Sequence, residues 1–161
     1  MILSPDIITP AIMCRNEAHW IFYVLRDLLK IFPTVILLDT GSTDDTVNIA
    51  LSAVNGSGHV LHLKQESYGN DPNKIADGRN VMREMCDTCW MLIVDGDEIY
   101  REQQLRRMLE FEIPDGTEVV MVGAKQVQDI NGRLMLRTHD IANRDGLMSP
   151  DVYWNTLGYP F

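Results

Sequence analysis

Short unbroken apolar runs alternate with stretches of helical periodicity along most of this chain. Residues 7–14 are such a run, with Pro10 near its start, and read as a strand buried on both faces. Over residues 17–32, Trp20, Val24, Leu28 and Ile31 recur at helical spacing, with Ile21, Leu25 and Phe32 beside them, and Pro33 ends the pattern. A second buried strand over 35–38 ends in Asp39. A second helix over 43–54 puts Val47, Ala50, Leu51 and Val54 on one face before Asn55-Gly56. Residues 59–63 predict a third strand and 72–85 a third helix, with Asp71 as its N-cap and Pro72 in the first helical position. The run over 90–94 predicts a fourth strand, followed by Asp95-Gly96-Asp97-Glu98 and a short helix over 102–110. Residues 119–127 and 133–137 flank Asn131-Gly132, a favoured tight-turn pair, and predict a hairpin.

The fold class that follows is α/β: a mostly parallel sheet with helices on both faces and a hairpin toward the C-terminal part. In such sheets a ligand binds beyond the carboxyl ends of the strands. Three predicted strand ends carry polar clusters: Arg15-Asn16-Glu17, Asp39-Thr40-Gly41-Ser42 and Asp95-Gly96-Asp97-Glu98. If those strands are neighbours, the clusters share one edge.

Length and charge narrow the picture. The 161 residues fit one domain, and a formal charge of -9 without a basic stripe argues against nucleic acid as a partner. No apolar run is long enough to span a membrane, and the first ten residues lack the pattern of a signal peptide. Cys14, Cys86 and Cys89 make an odd set, which points to reduced thiols and a cytoplasmic setting. The Cys86-x-x-Cys89 pair lacks the two further ligands a zinc site needs and reads as ordinary thiols near a helix end.

The chemistry concentrates at the strand ends. Asp95 and Asp97 alternate across Gly96, so their carboxylates face one way in an extended segment and suit Mn2+ or Mg2+, with ligand phosphates completing the shell. The plainer reading is an acidic loop. Ser42 and Asp45 have capping-box spacing, which makes Asp44 and Asp45 helix-start residues and leaves Asp39 free to point outward toward a base imide or ribose hydroxyl. Arg79 can grip phosphate with its planar fork, or sit as a solvated helix arginine. His139 offers a third metal ligand or an acid-base group, against the alternative of a surface histidine. His59 and His62, three apart on a strand, face opposite sides and make no metal pair, and His19 reads as structural.

Leu37-Leu38-Asp39-Thr40-Gly41-Ser42 also resembles the signature of aspartic proteases, but those are nearly all-β, whereas helical patterns flank it here. Four segments in order instead resemble a family 2 glycosyltransferase: Cys14-Arg15-Asn16-Glu17, Leu38-Asp39-Thr40-Gly41-Ser42-Thr43-Asp44-Asp45-Thr46, Gly78-Arg79-Asn80 and Val94-Asp95-Gly96-Asp97-Glu98. The resemblance implies a GT-A fold, a nucleotide-diphosphate sugar (often a UDP-sugar) as donor, a saccharide or other hydroxyl as acceptor, and transfer with inversion. By position it implies that Asp39 contacts the base, Asp95 lies near ribose and metal, Asp97 binds the metal, Arg79 contacts the nucleotide, and Glu17 belongs to the donor pocket, with Arg15 in the same segment. Gly78 stands where that family usually has alanine. Members usually continue into an acceptor-binding half with the catalytic base. The expectation is therefore one nucleotide-sugar-binding domain over residues 1–161 that lacks most of that half. Among its later carboxylates, Asp140, Asp145 and Asp151, nothing singles out a base. A sugar-nucleotide-binding module without turnover is the alternative. A nucleotidyltransferase would carry a glycine- and lysine-rich loop where Arg15-Asn16-Glu17-Ala18 stands.

Overall fold

Four short strands pair in parallel, and parallel pairing needs crossover connections, which helices supply. The computed structural model describes residues 2–69, 71, 74–118, 125–130 and 133–138. In chain order the elements are β1 (Ile8–Cys14), α1 (Ile21–Leu28), β2 (Thr34–Asp39), α2 (Thr46–Val54), β3 (Val60–Gln65), α3 (Lys74–Met85), β4 (Trp90–Asp95), α4 (Glu102–Leu109), β5 (Lys125–Ile130) and β6 (Arg133–Thr138). The sheet order is β3-β2-β1-β4, all parallel, while β5 and β6 form a separate antiparallel pair. Ile130 pairs with Arg133, and the expected turn residues 131–132 lie outside the described residues. Residues 119–124 of the expected first hairpin strand lie outside the described residues.

Strand alternation sorts side chains onto two unequal faces. On one face Ile8, Ile12, Val35, Leu37, Leu92 and Val94 pack with Ile21, Val24, Leu25 and Leu28 of α1, Ala50 of α2, and Leu105 and Met108 of α4. On the other, Ala11, Ile36 and Leu38 pack with Met82 of α3. The expected coverage of both faces is thus present.

Three helices begin or end differently from the periodic pattern. α1 covers only part of 17–32: residues 17–20 form a turn in which Trp20 and Ile21 N–H groups donate to the Glu17 carbonyl, both at 2.9 Å. After Leu28 the chain closes with Ile31 and Phe32 N–H groups donating to the Leu28 carbonyl at 3.0 and 2.9 Å, and Pro33 stops it. α2 starts at Thr46 with Asp45 as an uncapped N-cap residue, so the Ser42/Asp45 capping box does not form. Ser42 is occupied elsewhere, as shown below. α3 is described from Lys74, whose N–H donates to the Asp71 carbonyl at 3.1 Å, and Pro72 lies outside the described residues.

Candidate functional site

Register decides where the polar clusters meet. Cys14 pairs with Asp39 and Met13 with Asp95, so β2 and β4 end on either side of the end of β1. The sheet order changes direction at β1, between its neighbours β2 and β4, and this is where a crevice opens in an α/β sheet. The three clusters therefore share one edge, as the sequence reading requires.

The first two loops are stitched together. Three successive N–H groups of the β1 loop donate to side chains of the β2 loop: Asn16 to Ser42 Oγ at 2.8 Å, Glu17 to Thr46 Oγ1 at 2.8 Å, and Ala18 to Asp44 Oδ2 at 3.1 Å. In return the Asn16 side-chain oxygen accepts from the Thr43 N–H at 2.7 Å. Asn16 has φ 58°, a left-handed conformation that asparagine tolerates better than most residues. Asp44 also accepts from the Thr46 hydroxyl and from the Thr46 N–H, at 3.1 Å. These bonds, the Thr46 hydroxyl first, hold the Asp44 carboxyl below its ordinary range. Sequence reasoning missed this clasp: it placed Ser42 in a helix cap and did not single out Asn16 or Thr46.

Asp39 differs from the outward-pointing residue expected. It is only 1% exposed, and its carboxylate accepts from the Ser42 hydroxyl, from the Ser42 N–H at 3.1 Å and from Gln65 Nε2 at 3.3 Å. Arg15 is exposed, and its guanidinium donates to the Gly69 carbonyl in the loop after β3.

The β4 loop folds back onto β1. The Gly96 N–H donates to the Met13 carbonyl at 3.1 Å, and the Glu98 carboxylate accepts from the Asp95 N–H at 3.2 Å. Gly96 is buried, and a Cβ there would lie 2.6 Å from Cys14 Cβ and 2.9 Å from Glu17 Cγ, so the acidic turn sits against the end of β1 through a contact only glycine permits. Beneath it the Cys14 thiol is pushed up to about 12, first by burial and then by the Asp39, Glu17 and Asp44 carboxylates. Asp95 and Asp97 are exposed. Arg79, reaching from α3, places Nη2 3.9 Å from Asp95 Oδ1. Burial raises the Glu17 carboxyl, and Asp97 and then Asp44 raise it further. Burial likewise raises Glu98, with Asp95 and Asp97 adding to the effect.

Glu17, Arg79, Asp95 and Asp97 thus come together at the β1–β4 side of the edge, while Asp39 lies buried at the end of β2 and Arg15 leans toward β3. His139, Asp140, Asp145 and Asp151 lie outside the described residues. Among the described residues no group of three or more His, Cys, Asp or Glu side chains is arranged to hold a metal by itself. Two exposed carboxylates amid raised neighbours fit the other mode of Mg2+ or Mn2+ binding, in which one or two protein carboxylates share the ion with ligand phosphates. All the donors there are hard oxygens. No helix among the described residues is long and apolar enough to cross a membrane.

Comparison with known proteins gives consistent matches. The family model for glycosyl transferase family 2 matches residues 10–159. The SPbeta prophage-derived glycosyltransferase SunS of Bacillus subtilis (strain 168) is 30% identical over 113 residues, covering 64% of this chain and 25% of that protein. The chain thus spans about a quarter of the length of the curated relatives it matches. Among solved structures, S. aureus TarS 1–349 superposes with a TM-score of 0.52 at 27% identity, over 62% of this chain and 30% of that one. The mannosyltransferase PcManGT from Pyrobaculum calidifontis, in complex with GDP-Man and Mn2+, gives 0.60 at 18% identity, over 75% and 36% of the two chains. The parallel sheet with its flanking helices is the GT-A arrangement of these neighbours.

Proposed function

The chain belongs to glycosyl transferase family 2, and from that membership we propose that it moves a sugar from a nucleotide-diphosphate sugar, a UDP-sugar, to an acceptor hydroxyl with inversion, assisted by Mn2+ or Mg2+. The observation that supports this most strongly is the strand register, which gathers Glu17, Arg79, Asp95 and Asp97 at one edge of the sheet. Asp97, assisted by Asp95, would hold the ion through this D-x-D pair. Bound there, the ion would neutralise charge developing on the departing diphosphate. His139 is assigned as a third ligand on the sequence reading.

The remaining roles follow from position. Arg79 presents its guanidinium beside Asp95, where it can pair with a donor phosphate. Asp39, at the floor of the site with Ser42 and Gln65 fixing its carboxylate, is assigned to the base end. Glu17 and Arg15 belong to the donor pocket, and their loop is held by the clasp to Ser42, Asp44 and Thr46. Such preorganisation lets the site orient the anomeric carbon without first ordering its own loops. The acceptor is a saccharide or another hydroxyl compound whose oxygen attacks opposite the diphosphate, and its proton passes to a base. No described residue is assigned that role. The proposed setting is the cytoplasm, where Cys14, Cys86 and Cys89 would stay reduced.

Calorimetric titration of UDP with and without Mn2+ tests the reading. Binding that needs the metal, and that is at least tenfold weaker in Asp97→Ala, is the expected result. Unchanged binding in Asp97→Ala would break the metal assignment. Binding with neither transfer nor donor hydrolysis would favour a sugar-nucleotide-binding module.

A further inference from the structure

Helices α1 and α4 border an open groove of about 520 Å3, lined by Arg26, Asp27, Lys30, Arg101, Glu102 and Arg106 among others. No residue assigned to the donor site lines it. Arg26, Lys30 and Arg106 outnumber the Asp27 and Glu102 carboxylates they pair with, in a chain of formal charge -9.

The charges are layered. The Asp27 side chain is 6% exposed, beneath Arg26 at 45% and Lys30 at 46%. Arg26 donates Nε and Nη2 to the two Asp27 oxygens at 3.1 and 2.8 Å, and Lys30 donates to Oδ1 at 3.1 Å. Arg106 donates Nε at 3.0 Å and Nη2 at 2.8 Å to the single Oε1 of Glu102, whose Oε2 lies 3.6 Å from Lys30 Nζ. The acids therefore orient the cations from below and from one side. Each arginine has five N–H donors, and each of these two spends two of them on its carboxylate, which leaves the rest for an incoming oxyanion. A staple between the helices would be complete with Lys30 between Asp27 and Glu102. Arg26 and Arg106 add charge that a staple does not need.

We propose that the α1–α4 groove binds a phosphate-bearing ligand at a site separate from the donor site, with Arg26, Lys30 and Arg106 as the contacting residues. Forked guanidinium donors beside an ammonium match the tetrahedral oxygens of phosphate. Because these cations are half-exposed, binding depends strongly on salt.

The test uses the whole chain in EDTA, so that metal-dependent binding at the donor site does not contribute. Pyrophosphate is titrated calorimetrically into the wild type, the double variant Lys30→Gln/Arg106→Gln, and Asp97→Ala. In parallel, co-sedimentation compares phosphatidylglycerol with phosphatidylcholine vesicles. Both substituted groove residues are well exposed, and circular dichroism verifies the fold. Pyrophosphate binding that weakens at least tenfold in the double variant and is unchanged in Asp97→Ala supports a soluble phosphate ligand. A preference for phosphatidylglycerol lost in the double variant supports a lipid phosphate. No binding of either probe, or binding that the double variant leaves intact, overturns the proposal, and loss in Asp97→Ala alone assigns the phosphate to the donor site instead.

Discussion

At the scale of single residues, Gly96 and Gly78 look alike in sequence and differ in physics. A methyl at Gly96 would meet Cys14 Cβ at 2.6 Å and Cys14 Cα at 3.2 Å, atoms fixed by the end of β1. Relief requires the acidic turn to move away from β1, so Gly96→Ala should cost about 1–3 kcal/mol, the range for overpacking a tight contact. At Gly78 the nearest atoms are side-chain ends: Met13 Sδ at 2.9 Å, Tyr68 Cε2 at 3.0 Å and Leu38 Cδ2 at 3.1 Å. Methionine yields readily, and alanine gains up to about 1 kcal/mol over glycine inside a helix. Gly78→Ala should therefore lie within about 1 kcal/mol of the parent, in keeping with the alanine expected there by resemblance. Urea denaturation of both variants checks the order, and a larger loss for Gly78→Ala would reject the packing account. For the same reason donor binding should suffer more from Gly96→Ala, since Gly96 links Asp95 and Asp97.

At the scale of elements, the clasp between the β1 and β2 loops turns two motifs into one unit. Thr46 is fully buried, and its hydroxyl accepts from the Glu17 N–H while donating to Asp44. Thr46→Val keeps the shape but strands that N–H and removes a partner of Asp44. The expected cost is about 1–3 kcal/mol, with Thr46→Ser largely restoring stability. Thermal denaturation of the two variants measures this, and a larger loss in Thr46→Ser than in Thr46→Val would show that the methyl group, not the hydroxyl, matters. The strands of this unit were legible in the sequence because fully buried strands read as unbroken apolar runs, and the meeting of the polar clusters followed once those strands proved to be neighbours. The clasp was not legible, since its bonds join residues 26 to 29 positions apart and depend on strand order, which periodicity does not encode. The buried Asp39 was misjudged for the same reason: Gln65 reaches it from β3 only because β3 pairs with β2. Helix starts shifted where local signals competed with tertiary ones, as when Ser42 bonded Asp39 and Asn16 instead of capping α2.

At the scale of the whole molecule, the two faces of the sheet are unequally built. Among the described residues, the cluster under α1, α2 and α4 contains 18 buried residues and the one under α3 four. Within α3 itself only Gly78 and Met82 are buried, whereas α1 buries Ile21, Val24, Leu25, Asp27 and Leu28. Ile93, on the α3 side of β4, stays 40% exposed. Apolar burial is the main term that opposes local opening, so α3 should open at a lower free energy than α1. Yet α3 carries Arg79, which faces Asp95 across the candidate donor site. A ligand that engages Arg79 binds only the closed form and must raise the opening free energy of α3 by mass action. Native-state hydrogen exchange is expected to show α3 amides opening before those of α1 in the free protein. Saturating UDP with Mn2+ should narrow the gap by about 2.7 kcal/mol at a hundredfold excess over Kd. Equal opening energies for α3 and α1 without ligand would contradict the packing asymmetry. Unchanged exchange in α3 on saturation would instead detach Arg79 from the donor site while leaving that asymmetry intact.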